Sequence, residues 1–517
     1  MILSACGGRV KQKPLQIPEN AGGVSEQGNG EPRILQCFRW EVKAMQITVA
    51  LRGRTRLAAL LHRLEQEVDQ RRQGPRVDRR NRRTWRQLVL GVLVKRSTRL
   101  LALGQMVAPQ RRAGSVKAAA QGVAYFLREA KFPSASFSLG LLEEAVRQVD
   151  PARLVTYKGK VLLVLDPTEY EKRSRERGKC GRQMEHIGRV RRAKSKSTPK
   201  TKKKKWSTGP APTQGRGGPA QTEERRTATA PGYVDIWAGL VLKGKQVLPL
   251  ARQLFSSRHP QCTSQNAVEE AVLAQALALL HRLGLPAIVL GDKGLGRKEL
   301  IIRLANQEQD AVLRVDADIT VYPPEAPEGL LLADALAQQP WRGEVDWDRG
   351  AEGRVRCRLR TLRATIRFSR TGRKDDVQEA PVHFVEAVPM EGLSESLVVA
   401  TTLPVATVVQ VRAIVRLYAQ RWAIETGFET MHAWGQDRFM VRSWTAIDRL
   451  LWVLAVAFAL VVLALHTPLL RRFRGQAEAV LKQLSVLGEH LTAGKLAEAI
   501  GLDFVRHSRA WLSAWLA

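Results

Sequence analysis

At 517 residues the chain is too long for one compact domain, and long enough to bury a full catalytic core with one or two smaller domains beside it, since domains usually run to about 100–200 residues. Its 83 Lys+Arg against 49 Asp+Glu give a formal net charge of +34, more than solubility requires, so a polyanionic partner is expected. The basic residues are spread over several segments, which favours nucleic acid over a lipid headgroup cluster. Five scattered cysteines, Cys6, Cys37, Cys180, Cys262 and Cys357, exclude a disulfide framework and a zinc site, and fit a reducing cytoplasm.

Residues 1–44 are rich in Gly, Pro and Gln without a sustained period, and are expected to be disordered or not natively translated. Met45 opens an amphipathic pattern and is a second possible translation start. Residues 45–155 carry eight arginines between Arg71 and Arg86, then apolar-periodic segments over 85–93, 99–107, 116–127 and 139–149. They predict a helical N-terminal domain whose basic flank suits DNA phosphates, although no recognition helix can be singled out.

The run Val161–Leu165 ending at Asp166-Pro167-Thr168 predicts a buried central strand with a carboxylate at its end. Ala287–Leu290, ending at Gly291-Asp292, predicts a second. Between them lie strand-like residues 233–242 and 246–250 and a helical pattern over 267–283. Residues 156–170 and 231–315 therefore form the first part of an α/β core. The stretch 171–230, with 19 Lys+Arg against 5 Asp+Glu, interrupts it as a basic disordered insertion. Residues 316–400 read as a β-rich insertion, in which Trp341 and Trp347 suit packing, with base stacking as the alternative. Residues 401–470 return to the core and 471–517 form a C-terminal helical segment. The apolar run Leu450–Leu465 falls short of the roughly 20 residues that span a bilayer. It predicts a buried core helix and no membrane partner.

The segment Tyr418-Ala-Gln-Arg421-Trp-Ala-Ile-Glu425, continuing to His432, places a hydroxyl, a guanidinium, a carboxylate and an imidazole within about 60° on one helical face. Its spacing resembles the Tyr-(2)-Arg-(3)-Glu-(6)-Lys signature of the "IS four" class of bacterial insertion-sequence DDE transposases. His432 stands where that class has Lys. LVLDPT and IVLGDKG are similar to the strand ends bearing that class's first and second Asp. The resemblance runs over roughly residues 162–465. It implies an RNase H-like mixed sheet flanked by helices, with Asp166, Asp292 and Glu425 as catalytic metal ligands. It further implies two Mg²⁺ ions, Mn²⁺ being possible, and Tyr418, Arg421 and His432 as DNA contacts. Double-stranded DNA, as transposon ends and target, would be the partner of a bacterial cytoplasmic, nucleoid-associated enzyme, dimeric when DNA-bound. Three carboxylates from distant segments are the chemistry that two-metal phosphodiester cleavage needs. Each alone has an ordinary reading: a turn or helix cap for either Asp, and a helical ion pair for Arg421 and Glu425. An inactivated transposase and a non-enzymatic basic DNA-binding protein are the alternatives.

Overall fold

A computed structural model describes residues 58–71, 77–107, 115–172, 184–191, 229–350, 353–373, 376–391 and 395–467. The expected N-terminal tail over 1–44, the C-terminal segment over 471–517 and most of 171–230 lie outside the described residues.

Five helices come first: α1 (58–71), α2 (Arg79–Lys95), α3 (Leu100–Val107), α4 (Val116–Glu129) and α5 (Ser134–Arg147). Asp78 caps α2 by accepting from the Asn81 N–H, and Ser115 caps α4 by accepting from the Ala118 N–H. A Cβ on Gly104 would stand 2.8 Å from the Ala120 nitrogen, so the close crossing of α3 and α4 requires glycine there.

The chain then builds a sheet from β1 (Thr156–Tyr157), β2 (Lys160–Glu171), β3 (Gly188–Arg191), β4 (Thr229–Leu242) and β5 (Gln246–Phe255). It continues through α6 (Gln265–Arg282), β6 (Ala287–Gly291), α7 (Lys298–Asn306) and β7 (Ala311–Arg314). β4 lies antiparallel to both β2 and β5, while β2–β6 and β6–β7 are parallel pairs, giving the order β5-β4-β2-β6-β7. Three antiparallel strands followed by two helix-linked parallel ones form an RNase H-like mixed α/β core. β2 and β6 are central, which is why Val161–Leu165 and Ala287–Gly291 are unbroken apolar runs buried throughout.

One expectation about the insertions needs correction. β3 comes from within 171–230 and pairs antiparallel with β4, so residues 184–191 of that stretch are ordered. The 316–400 insertion contains β8 (Thr320–Val321), β9 (Leu330–Leu331), α8 (Leu332–Ala337), β10 (Gly343–Asp348), β11 (Arg354–Ser369), β12 (Val377–Pro389) and β13 (Leu397–Thr401). β13 pairs with β7, so the insertion prolongs the core sheet to 11 strands and supplies partners for an edge that would otherwise be bare. Within it Trp347 is buried, while Trp341 is exposed beneath the Arg360 guanidinium.

Three helices complete the fold: α9 (Val408–Ala419), α10 (Trp422–Ala433) and α11 (Trp444–His466). By length and composition α11, at 23 residues, could cross a membrane, longer than the sequence run indicated. It is buried without a break from Leu450 to His466, packed against β5 on one side and α2, α4 and α5 on the other. Each apolar side chain so buried contributes about 1.5–3 kcal/mol, so α11 joins the N-terminal helices to the core. Arg449 strengthens that joint by donating to the Phe126, Leu127 and Ala130 carbonyls that end α4.

Gly104→Val should drive its side chain into the Ala120 backbone and cost about 1–3 kcal/mol of stability. Urea unfolding would show this as a lowered midpoint, and an unchanged midpoint would mean that α3 and α4 can separate without cost.

Candidate active site

Two neighbouring strands define the floor of the site. In the parallel β2–β6 pair Leu165 stands opposite Gly291, so the next residues, Asp166 and Asp292, lie beside each other where β6 ends. The expected end of β2 at Asp166 needs correction: the strand runs on to Glu171 because β4 continues to pair with it, and Asp166 sits in mid-strand opposite Trp237. Asp292 begins a short 3₁₀ turn over Lys293–Leu295. The following Gly296 lies flush on the end of β7, where a Cβ would meet the Arg314 carbonyl at 1.9 Å. Only glycine lets the turn return that close.

The signature segment forms the other wall. α9 starts with a capping box in which Thr407 accepts from the Gln410 N–H while the Gln410 side chain accepts from the Thr407 N–H. At residues 420–421 the hydrogen bonding tightens: the N–H groups of Gln420, Arg421, Ala423 and Ile424 each donate to the carbonyl three residues back. The expected single helix is therefore two, α9 and α10, joined by a 3₁₀-like turn. In such a turn residues i and i+3 eclipse, which is how Tyr418 and Arg421 come to face the same way.

Around that turn the acidic groups gather. The Tyr418 hydroxyl donates to Asp292 Oδ1 at 3.1 Å. The Arg421 guanidinium is 4% exposed; it donates to Glu425 Oε1 at 2.7 Å and stands 3.9 Å from Asp166 Oδ2. One buried cation thus bridges two carboxylates, and a buried tyrosine holds the third. Asp166 feels the arrangement most. Burial, together with the negative charge of Asp292 and Glu425, pushes its carboxyl up to about 7 despite Arg421. Glu425 is raised for the same reasons, burial first.

Other expected site residues take different places. Tyr418 orients Asp292, not Glu425. His432 is half-buried with its Nε2 3.3 Å from the Thr168 hydroxyl, and burial lowers its basicity. Glu429 is exposed and Glu169 alternates to the other face of β2 from Asp166, so neither replaces a member of the triad. Sequence reasoning missed Glu269, which is buried on α6 and paired with Arg297; Arg297 also donates to the Gly294 carbonyl beside Asp292. Nothing in the amphipathic pattern of α6 distinguishes it. Arg252 donates to Asp235 and Asp448 while Tyr170 donates to Asp235, a polar network, buried except at Asp448, that fixes β2, β4, β5 and α11 together.

An all-carboxylate donor set suits a hard divalent cation. Among the described residues, however, no three acidic, His or Cys side chains stand close enough to share one ion. Arg421 lies between Asp166 and Glu425 instead. The residues fit divalent cations by chemistry, and loading them requires the guanidinium to yield.

Fold and acidic cluster together define a nucleic-acid-processing core of RNase H-like class. Residues 257–460 match the family described as the transposase DDE domain, a stretch that holds Asp292, Tyr418, Arg421 and Glu425 and begins after Asp166. The match supports a DDE transposase, a family whose members cleave and transfer nucleic-acid strands and generally use divalent metals. No curated protein matches the chain.

Because the folded state holds a proton on Asp166 that the unfolded state releases above about 4, ionising it as pH rises towards about 7 costs stability. In metal-free protein Asp166→Asn should equal the parent near pH 4 and exceed it by on the order of 2–4 kcal/mol at pH 8. Urea unfolding across that range checks it; a difference independent of pH would contradict the assignment.

Proposed function

We propose that the chain is a DDE transposase of the "IS four" class that cleaves DNA at transposon ends and transfers the strands into target DNA. The observation that carries this reading is the convergence of Asp166, Asp292 and Glu425, from three distant segments, on the Tyr418–Arg421 turn. Asp166 would serve both of two Mg²⁺ or Mn²⁺ ions, with Asp292 completing one site and Glu425 the other. When bound, such ions supply Lewis-acid activation of the attacking oxygen and stabilise the leaving one.

The protein's own residues set up that chemistry. Tyr418 keeps Asp292 from rotating away. Arg421 neutralises Asp166 and Glu425 before substrate arrives, and its forked guanidinium suits a phosphate once DNA is present. Thr168 and His432 brace the strand beyond Asp166. The net charge of +34 supplies the long-range attraction to the DNA backbone. Joining two transposon ends calls for a DNA-bound dimer, and the work is done at the nucleoid.

The test is cleavage of duplexes carrying the sequences that flank the gene, with Mg²⁺ or Mn²⁺. Asp166→Asn, Asp292→Asn and Glu425→Gln should each lower cleavage by ~10²-fold or more, ~3 kcal/mol of barrier, while DNA binding persists. Normal cleavage by any one would remove it from the triad. A parent that binds but never cuts would be an inactivated copy or a purely charge-driven binder. Tyr418→Phe, which frees Asp292 without removing it, should cost about 10-fold, the weight of one hydrogen bond to a charged group.

A further inference from the structure

The first turn of α2 carries Arg79, Arg80, Arg82 and Arg83 and no acidic residue. Positive charge at a helix N-terminus opposes the helix dipole, so this turn is electrostatically unfavourable by itself. Arg82 is relieved by Asp69, and Arg86 further along by Glu65. Arg79, Arg80 and Arg83 are surface residues with no carboxylate at ion-pair distance among the described residues.

Beside them, α4 shows solvent a stripe of Lys117, Gln121, Tyr125 and Arg128, spaced so that all lie within about 80° of one another. Tyr125 is 64% exposed, unusual for an aromatic in mid-helix. Between the two helices runs an open groove of about 460 Å³, lined by Arg80, Asn81, Gln121 and Tyr125 among others. Its lining mixes the polar Arg80, Asn81, Thr84 and Gln121 with apolar surface from Tyr125, Phe126 and Ala130. Arg449 locks the C-terminal end of α4 to α11, so this face is held rigidly to the catalytic core.

We infer that this face of α2 and α4 is the surface by which the protein reads duplex DNA, with α4 directed at base edges in the major groove and the α2 arginines on the flanking phosphates. The inference rests on the transposase reading and adds to it the reading helix. Gln and Asn amides present a donor and an acceptor together, the pattern that adenine matches in the major groove, and an arginine fork matches guanine. The tyrosine ring offers an apolar face to a thymine methyl. A positive rim around such side chains is complementary to DNA and to little else of comparable charge density.

The experiment selects bound sequences from a pool of randomised short duplexes with the full chain, then measures affinity for the enriched and a scrambled duplex. The combined variant Gln121→Ala, Tyr125→Ala alters only exposed helical positions, where alanine is well tolerated, and its far-ultraviolet circular dichroism should match the parent's. It should bind scrambled duplex as the parent does but lose about 10-fold or more of its preference for the enriched one. Replacing Arg79, Arg80 and Arg83 by Ala should weaken both duplexes alike and reduce the salt slope of binding by up to about 3. An undiminished preference in the double variant, or a parent that enriches no sequence, overturns the inference and leaves the transposase reading standing if end cleavage is seen. A parent that binds no duplex at all overturns both.

Discussion

The register of β2 against β6 is the constraint on which the site depends. Because Leu165 faces Gly291 across a parallel pair, β6 ends level with the middle of β2 and delivers Asp292 beside Asp166. A slip of one residue would turn one of those carboxylates to the other face of the sheet. Burial of Val161–Leu165 and of all of β6 resists such a slip, and the Asp235–Arg252–Asp448 network holds the neighbouring strands and α11 to the same alignment. Removing one partner of a buried charged set leaves the other uncompensated, so this network protects the register although none of its members reaches the acidic cluster.

The third carboxylate arrives by a different route. Glu425 is brought in by a helix that is not continuous: the tightened turn at Gln420–Arg421 lets Tyr418 reach Asp292 and Arg421 reach Asp166. The result is three acidic groups around one guanidinium. Clustering and burial make Asp166 hold its proton towards neutral pH, so the site takes up positive charge readily, whether as a proton, the guanidinium or a divalent cation. Arg421 is thus the counter-charge shared by Asp166 and Glu425.

Much of this was legible along the chain because it is written locally. An apolar run closed by Asp is visible in a handful of residues, and it located both acidic positions and the end of β6, though not the end of β2, which runs on to Glu171 against β4; the spacing of Tyr418, Arg421 and Glu425 is likewise a local pattern. What was hidden is non-local. The pairing of β13 with β7, which turns an insertion into part of the core sheet, depends on residues that no short window contains. So does the recruitment of β3 from a basic stretch. His432 has the right spacing for a cation on the signature face, but its burial against Thr168 and Tyr170 is a property of the packed sheet. Counting a uniform 100° per residue also misjudged the geometry, since the 3₁₀-like turn brings Tyr418 and Arg421 into register and begins a new helix after them.

The long apolar helix α11 ties these parts together, packing against β5 of the core and against α2, α4 and α5, with Arg449 anchoring the end of α4. The central claim is that Asp166, Asp292 and Glu425 jointly seat divalent cations. The most direct measurement loads the protein with Fe²⁺ in place of Mg²⁺ and maps where locally generated hydroxyl radicals cut the backbone. The account predicts cuts clustered near residues 166, 292 and 425, suppressed by excess Mg²⁺. Cuts at only one of these positions, or elsewhere in the chain, would contradict it.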